Sequence, residues 1–346
     1  MVPAYNEAKT IAGCLDSLIK QNYHKLNILI IDDGSTDDTG KIAKTIAARH
    51  SNMKYIRKEN GGKASALNHG LRYVHTEVFG FIDSDTYLSK NALRSMVKYL
   101  IGNTASVTIC IKPASASNIV QRIQSIEYMV ASFTRKLLSY IHSVYYTPGF
   151  AIYKTDVVRK IGGFDEDNLT EDLEIGLRLK DNGYEIENTI EEVAFTEVPM
   201  TFRELFSQRM RWYRGYIHNT RKYKHMFFNK NFGDLGIMVL PIQYILLALI
   251  TPFMIYSIYD SVITVAKNVI DAYLVGFDVN YFLDTSVLNV ITPTTFFLVA
   301  FVASFFMMLR LSQLNVHEKV GKGTYVVYII LYPFINTILW ISAFVH

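Results

Sequence analysis

Short apolar runs that end beside acidic or glycine residues recur along the first third of the chain. The apolar run 26–31 ends in Asp32 and Asp33, and the run 78–82 ends in Asp-Ser-Asp. A further unit, which is not continuously apolar, leads from 53–57 through a Gly-Gly-Lys triplet into a helical pattern. Continuous apolar runs of this length indicate buried parallel strands. Repeated strand–turn–helix units predict an α/β domain built on an open, mostly parallel sheet.

Clusters of charged and polar residues fall where a predicted strand ends or a helix begins. Taken singly, each is more economically explained as solvated carboxylates or helix-end charges. Sites in open α/β sheets lie at the carboxyl ends of strands, so their order along the chain predicts one active site. The clusters are Asp32 with Asp33, Asp83 with Asp85, Glu171 with Asp172, and Gln208 to Trp212.

The last third of the chain has a different composition. Three stretches, 237–259, 287–309 and 324–345, contain no Asp, Glu, Lys or Arg. As helices with a rise of 1.5 Å per residue, each would be roughly 30 Å long, which matches a bilayer core. A buried soluble helix is the alternative for any one of them. Together they predict a helical transmembrane domain over 237–346.

Charges that flank these stretches predict the orientation. Basic residues gather before the first stretch, and the segment 260–286 carries four Asp against one Lys. By the positive-inside rule this predicts a multi-pass protein of the cell membrane with a cytoplasmic catalytic domain. The formal net charge of +4 is attributed to contacts with membrane lipids, and no nucleic-acid partner is expected.

Several motifs carry a resemblance to a known family. The Val-Pro-Ala-Tyr-Asn-Glu stretch at 2–7, the turn 32–35 and the Asp-Ser-Asp of 83–85 resemble family-2 glycosyltransferases with a GT-A fold. The Thr-Glu-Asp of 170–172 and the Gln-Arg-Met-Arg-Trp of 208–212 are similar to the TED and QxxRW motifs of processive membrane synthases of cellulose, chitin, hyaluronan and poly-N-acetylglucosamine. The resemblance implies a GT-A domain over 1–200, an interfacial QxxRW helix over 201–230, and then the membrane helices.

The resemblance also implies a donor site. Asp85 would be a direct ligand of Mg²⁺ or Mn²⁺, and Asp83 would lie nearer the ribose. A hard divalent cation held by one or two carboxylates and substrate phosphates suits an Asp-x-Asp pair. Asp32 would accept from the base or ribose, Tyr5 and Glu7 would wall the base pocket, and Lys63 would meet the diphosphate at a helix start.

For the acceptor end, the resemblance implies that Asp172, beside Glu171, is the catalytic base of an inverting displacement. Gln208, Arg209 and Arg211 would bind the diphosphate, and Trp212 would stack on the acceptor sugar. The helix that carries them is also explained by a plainer role, as an interfacial amphipathic helix whose arginines meet lipid phosphates.

The expected activity is inverting transfer from a UDP-sugar to the end of a growing polysaccharide, with or without polymer translocation. The alternatives are transfer of one sugar to a lipid carrier or lipid head group, and a membrane transporter or binding protein that retains a nucleotide domain without turnover. Because three spans are few for a polymer channel, upstream helices or a homo-oligomer are also expected to complete the membrane part.

Overall fold

The computed structural model describes residues 1–274, 293–316 and 321–345. Eight strands and most of the shorter helices form the first 200 residues, and long helices follow. The strands are β1 (Val2–Ala4), β2 (Ile28–Asp32), β3 (Met53–Arg57), β4 (Val78–Ile82), β5 (Thr86–Leu88), β6 (Thr104–Pro113), β7 (Phe150–Lys154) and β8 (Glu185–Thr196). The helices are α1 (Ile11–Ile19), α2 (Thr39–Ala47), α3 (Lys63–Leu71), α4 (Ala92–Val97), α5 (Ile119–Tyr140), α6 (Thr155–Lys160), α7 (Glu171–Asp181), α8 (Phe202–Lys222), α9 (Leu240–Leu274), α10 (Pro293–Val316) and α11 (Lys322–Val345).

The strands form two sheets of different character. The first is the parallel array β1–β2–β3, and the second is a mixed sheet in the order β4–β7–β6–β8–β5. Within the second sheet only β6 and β8 are parallel, whereas β7 and β5 run antiparallel to their neighbours. The expected mostly parallel sheet is therefore correct only in part. Strands buried on both faces give continuous apolar runs in either direction, so the sequence pattern does not report strand direction.

Backbone hydrogen bonds around Met1 bring the two sheets together. The Met1 nitrogen donates to the Gly80 carbonyl at 2.7 Å, and the Ile82 nitrogen donates to the Met1 carbonyl at 3.0 Å. This is the hydrogen-bond pattern of two parallel strands. The carboxyl ends of β1, β2 and β4 consequently lie along one edge, where the loops that follow them meet.

An aromatic core beneath β4 and β7 supports this edge. Tyr153 is fully buried, and its ring stacks on Phe81 with 5.8 Å between centroids. Its hydroxyl donates to Thr147 Oγ1 at 2.7 Å, and the Thr147 nitrogen in turn donates to the Asp172 carbonyl at 3.1 Å. The loop before β7 is thereby fixed against the start of α7.

Helix α8 begins with a capping box and then packs closely on the start of α7. The Thr201 side chain accepts from the Glu204 nitrogen, and the Glu204 side chain accepts from the Thr201 nitrogen, both at 3.3 Å. Further along, Gly215 approaches Thr170 so closely that a side chain at 215 would collide with it. Asn219 Nδ2 donates to Thr170 Oγ1 at 3.0 Å.

Long helices occupy the last third, in partial agreement with the sequence. Helix α9 continues to Leu274, so residues 260–274 are helical although they were expected to form a loop. Of the predicted span 287–309, residues 287–292 lie outside the described residues. In the described part of the chain, no single helix has both the length and the apolar composition needed to cross a bilayer. The pieces Gly323–Ile329 and Phe334–Ala343, bent by 42°, meet both requirements only together.

Candidate active site

A cavity of about 370 Å³ lies where the loop after β4 and the loop before β7 meet the starts of α3 and α7 and the first half of α8. Eight of the residues predicted from the sequence line it, drawn from parts of the chain as distant as residues 63 and 212. These are Lys63, Asp83, Asp85, Glu171, Asp172, Gln208, Arg211 and Trp212.

Lys63 links two of the acidic clusters. Its Nζ lies 2.5 Å from Asp83 Oδ1 and 2.5 Å from Glu171 Oε1. Burial opposes the charge on Lys63, but the two carboxylates outweigh it and raise the pKa of Lys63 above its usual value. The ammonium is therefore fixed between the turn after β4 and the start of α7.

The turn before α3 is held by Asp33 rather than by the lysine itself. The nitrogens of Gly61 and Gly62 donate to Asp33 Oδ2 at 3.3 and 2.7 Å, and Lys58 Nζ lies 2.7 Å from Asp33 Oδ1. Gly62 has φ +88°, a conformation that glycine adopts without the steric cost of a Cβ. These bonds set the direction in which Lys63 enters the cavity.

Asp83 and Asp85 form a carboxylate pair that suits a divalent cation. Burial raises the pKa of Asp85 to about 6, with further contributions from the charges of Asp83 and Glu7. A bound cation would offset the repulsion between these neighbouring carboxylates and favour their ionised forms. No group of three or more His, Cys, Asp or Glu side chains within the described residues is arranged to hold a metal. A cation here would therefore need oxygens from substrate phosphates or water as its remaining ligands.

The two carboxylates at the start of α7 have opposite electrostatic environments. Burial opposes ionisation of Glu171, but Lys63 outweighs it, and the pKa of Glu171 is lowered. Burial raises the pKa of Asp172 to about 6, and the neighbouring charge of Glu171 adds to this. Asp172 Oδ1 accepts from the Leu173 nitrogen at 2.8 Å. Asp172 is thus the better proton acceptor near neutral pH.

Helix α8 contributes Gln208, Arg211 and Trp212 to the cavity wall. Arg211 is exposed on its own helix, yet its charge helps to lower the pKa of Glu171, so it lies within electrostatic range of the acidic groups. Arg209, predicted to bind the diphosphate with them, does not line the cavity. It is 1% exposed and is paired with Glu127 of α5.

Three further residues predicted for the donor site also lie outside the cavity wall. Asp32 is fully buried; its oxygens accept from the Ser35 nitrogen at 2.8 Å and from the Tyr55 hydroxyl at 2.6 Å. These bonds give Asp32 a structural role at the end of β2. Tyr5 is 48% exposed. Burial is the main cause of the raised pKa of Glu7, and the charge of Asp83 lies close enough to add to it.

The cavity also contains residues to which the sequence pattern assigned no role. Glu127 is a carboxylate on the apolar face of amphipathic α5. A charged residue at such a position is the sequence feature by which Glu127 could have been found. Arg135, Tyr146 and Trp340 come from segments whose approach to the cavity depends on tertiary packing. The other lining residues without a predicted role are Ile111, Tyr128, Ala131, Tyr145, Leu173, Thr196, Glu197, Tyr213 and Tyr216.

Curated proteins similar to this chain include two synthases of the same name. The chain is 27% identical over 355 residues to the poly-beta-1,6-N-acetyl-D-glucosamine synthase of Staphylococcus epidermidis, a match that covers 99% of this chain and 82% of the relative. It is 28% identical over 221 residues to the synthase of the same name from Staphylococcus aureus strain COL, which covers 62% of this chain and 53% of that relative.

A solved structure and a family model agree with these matches. A mannosyltransferase from Pyrobaculum calidifontis, in complex with GDP-Man and Mn²⁺, is similar with a TM-score of 0.55 and 25% identity, covering 65% of this chain and 63% of that one. The similarity supports the GT-A fold. The model described as "Glycosyl transferase family 2" matches residues 1–162. The expectation drawn from the motifs is confirmed: residues 1–162 form a domain of glycosyl transferase family 2.

Proposed function

We propose that this protein is an inverting N-acetylglucosaminyltransferase that extends a poly-N-acetylglucosamine chain from UDP-N-acetylglucosamine at a membrane. The observation that carries the proposal is the single cavity shared by Lys63, the Asp83–Asp85 pair, Asp172 and the Gln208–Trp212 segment. The choice of sugar is supported by the similarity to a poly-beta-1,6-N-acetyl-D-glucosamine synthase over 99% of the chain.

In this proposal Asp172 removes the proton from the attacking hydroxyl of the acceptor. Its pKa of about 6 leaves it ionised at neutral pH while keeping it basic enough to accept a proton. Glu171 keeps its charge through the ion pair with Lys63 and holds that ammonium in the cavity. An inverting displacement requires Asp172 and the diphosphate site to lie on opposite sides of the transferred sugar.

The donor diphosphate would lie among Lys63, Gln208 and Arg211. Cationic and amide donors fixed in a water-poor cavity stabilise charge that develops on a leaving phosphate. Asp83 and Asp85 would hold Mg²⁺ or Mn²⁺, which would neutralise part of the diphosphate charge. The indole of Trp212 would stack on the terminal sugar of the acceptor.

The membrane placement is part of the same proposal. Residues 1–200 would be the cytoplasmic catalytic domain, 201–230 would lie at the lipid boundary, and 237–346 would be embedded. Large apolar side chains exposed along the last helices support the embedding of 237–346, because so much exposed apolar surface is more stable in contact with lipid than with water. They include Ile242, Ile245, Leu246, Leu249, Tyr256, Tyr259, Ile270, Phe306, Met307, Leu314, Val326, Ile338 and Ile341.

A panel of radiolabelled donors tests the donor and the metal together. Protein in native membranes is incubated with UDP-N-acetylglucosamine, UDP-glucose, UDP-glucuronate or GDP-mannose, each with Mn²⁺ or with EDTA. We expect incorporation from UDP-N-acetylglucosamine alone, abolished by EDTA and restored by added Mg²⁺ or Mn²⁺. Incorporation from another donor in preference to this one contradicts the assigned sugar, and full activity in EDTA contradicts the metal site.

A further inference from the structure

A buried ion pair joins α5 to α8 beside the cavity. Arg209 Nε donates to Glu127 Oε1 at 3.1 Å, and Arg209 Nη2 donates to Glu127 Oε2 at 2.7 Å. This two-point geometry fixes the plane of the guanidinium as well as its position. The side chain of Arg209 is 2% exposed and that of Glu127 is 20% exposed, so the pair is shielded from most solvent.

The same guanidinium contacts two residues of the cavity wall. Its carbon lies 4.0 Å from the centroid of the Trp212 ring, and Nη1 donates to Gln208 Oε1 at 2.5 Å. Arg209 and Trp212 are three residues apart on α8, a spacing that brings side chains into contact on a helix. A cation held over one face of an indole stabilises the ring through its quadrupole and leaves the other face open.

Groups on the donor side of the cavity are held by other contacts. Lys63 is fixed by Asp83 and Glu171, and the Asp33 carboxylate fixes the turn before it. None of these contacts involves Glu127 or Arg209. Tyr213, four residues after Arg209 on α8, stacks on Trp340 with 4.3 Å between ring centroids. The ion pair therefore contacts the Trp212 indole and Gln208, whereas Lys63 and the carboxylates around it are fixed independently of the pair.

We infer that Glu127 and Arg209 are positioning residues for the acceptor subsite: the pair holds the Trp212 indole at the angle at which an acceptor sugar stacks on it. The inference rests on the proposed function in that it takes the stacked ligand to be a sugar. Glu127 acts through Arg209 and not on the reacting atoms. Removing either partner leaves the other as a buried, uncompensated group that must move, and the indole moves with it.

The orientation of the indole can be measured without any activity. In Trp340→Phe protein, Trp212 is the only tryptophan. We expect Arg209→Lys and Glu127→Gln each to raise acrylamide quenching of its fluorescence by about twofold, because the planar cation no longer covers one face of the ring. Arg214→Lys, an exposed position on the same helix, is the matched control and is expected to leave quenching unchanged. Unchanged quenching in the two pair variants overturns the inference.

Kinetics with full-length protein in membranes provide the second readout. We expect each single variant to raise KM for an N-acetylglucosamine oligomer about tenfold, as for loss of one well-packed contact, and to change KM for the donor much less, through the contact with Gln208. Because the two residues act as one unit, the double variant is expected to be within about twofold of the worse single variant. Additive losses, or a changed pH profile of kcat in Glu127→Gln, would show that Glu127 acts on substrate and would overturn the inference.

The two levels of the account fail in different ways. If wild-type protein transfers no sugar, the proposed function fails, yet the fluorescence measurement still reports whether the pair orients the indole. If wild-type protein transfers sugar and the pair variants bind the oligomer normally, the positioning role fails and the proposed function stands.

Discussion

Asp172 and Glu171 are adjacent carboxylates whose pKa values move in opposite directions. Lys63 Nζ lies 2.5 Å from Glu171, and its charge lowers the pKa of Glu171 in spite of burial. Burial and the charge of Glu171 together raise the pKa of Asp172 to about 6. Pairs of acidic groups separated in this way commonly divide the work of a catalytic site. Here the separation favours Asp172 as the proton acceptor and Glu171 as the anchor of the lysine.

The first prediction concerns Asp172 itself. Asp172→Asn removes the proton acceptor while keeping nearly the same shape, so we expect turnover to fall by about a hundred- to ten-thousandfold, with donor affinity little changed. Initial rates of labelled sugar transfer and donor binding by titration provide the measurements. Asp16→Asn, an exposed change on α1, is the control. Near-normal turnover of Asp172→Asn would remove Asp172 from the mechanism.

The second prediction concerns pH. The pKa of Asp172 is raised to about 6, and the base acts only when it is deprotonated. Turnover should therefore be constant above this value and should fall about tenfold per pH unit below it, as for a single titrating group. A profile of kcat under saturating substrates tests this. A rate that stays constant down to pH 4 would show that no group with a raised pKa limits the reaction.

The sequence identified Asp83, Asp85, Lys63 and Asp172 correctly as neighbours, because strand ends and helix starts converge at one edge of an α/β sheet. It did not separate Arg209 from Arg211. The two differ by about 200° around α8, but only packing decides which face meets the cavity. The outcome for Asp32 has the same origin, since a buried carboxylate with backbone and hydroxyl donors has the same sequence signature as an open one.

At the scale of elements, α7 and α8 are locked together next to the cavity. Glu174 of α7 is fully buried. Its Oε1 accepts from Lys222 Nζ, on the last residue of α8, at 2.8 Å, and from the hydroxyl of the next residue, Tyr223, at 2.7 Å. The contact of Gly215 with Thr170 closes the gap nearer the cavity. The two motifs are therefore held in register by packing outside either motif.

The third prediction tests this lock. Gly215→Ala puts a methyl group into the Thr170 side chain, so α8 must move away from α7. We expect a loss of about 1–3 kcal/mol in stability, as for an overpacked core, together with loss of transfer because Arg211 and Trp212 move with the helix. Thermal unfolding and transfer rates are the measurements.

Gly323→Ala is the control for this change, since no atom lies within 4 Å of the added methyl group. Unaltered stability and activity in Gly215→Ala would show that the close approach is not required. Loss of activity in both variants would point to a general effect of the substitution rather than to the contact between α7 and α8.

At the scale of the whole molecule, the α/β part and the helical half share the cavity. Glu127 of α5 and Trp340 of α11 both line it, and α5 packs against α10 and α11 through an apolar cluster that includes Phe133 and Leu309. The composition of the sequence predicted long helices in this region. It could not predict that the helices approach the active site, since that depends on contacts between residues more than 150 positions apart.

The fourth prediction concerns the helical half. If its exposed apolar side chains meet lipid, the expressed protein should sediment with membranes, resist extraction by alkaline carbonate and require detergent for solubility. Fractionation followed by immunoblotting provides the measurement. Recovery of active protein from the aqueous fraction without detergent would contradict the membrane part of the proposal.

The most direct test of the account is the size of the product made from radiolabelled UDP-N-acetylglucosamine in large excess over acceptor. In the proposed site the donor-binding groups, the catalytic base and the indole that stacks on the acceptor share one cavity beside the helical half. Such a site should extend the same acceptor repeatedly. We therefore predict labelled material many sugars long, absent in Asp172→Asn and hydrolysed to glucosamine by strong acid. A product that carries one added sugar, or the absence of any labelled saccharide, would contradict the account.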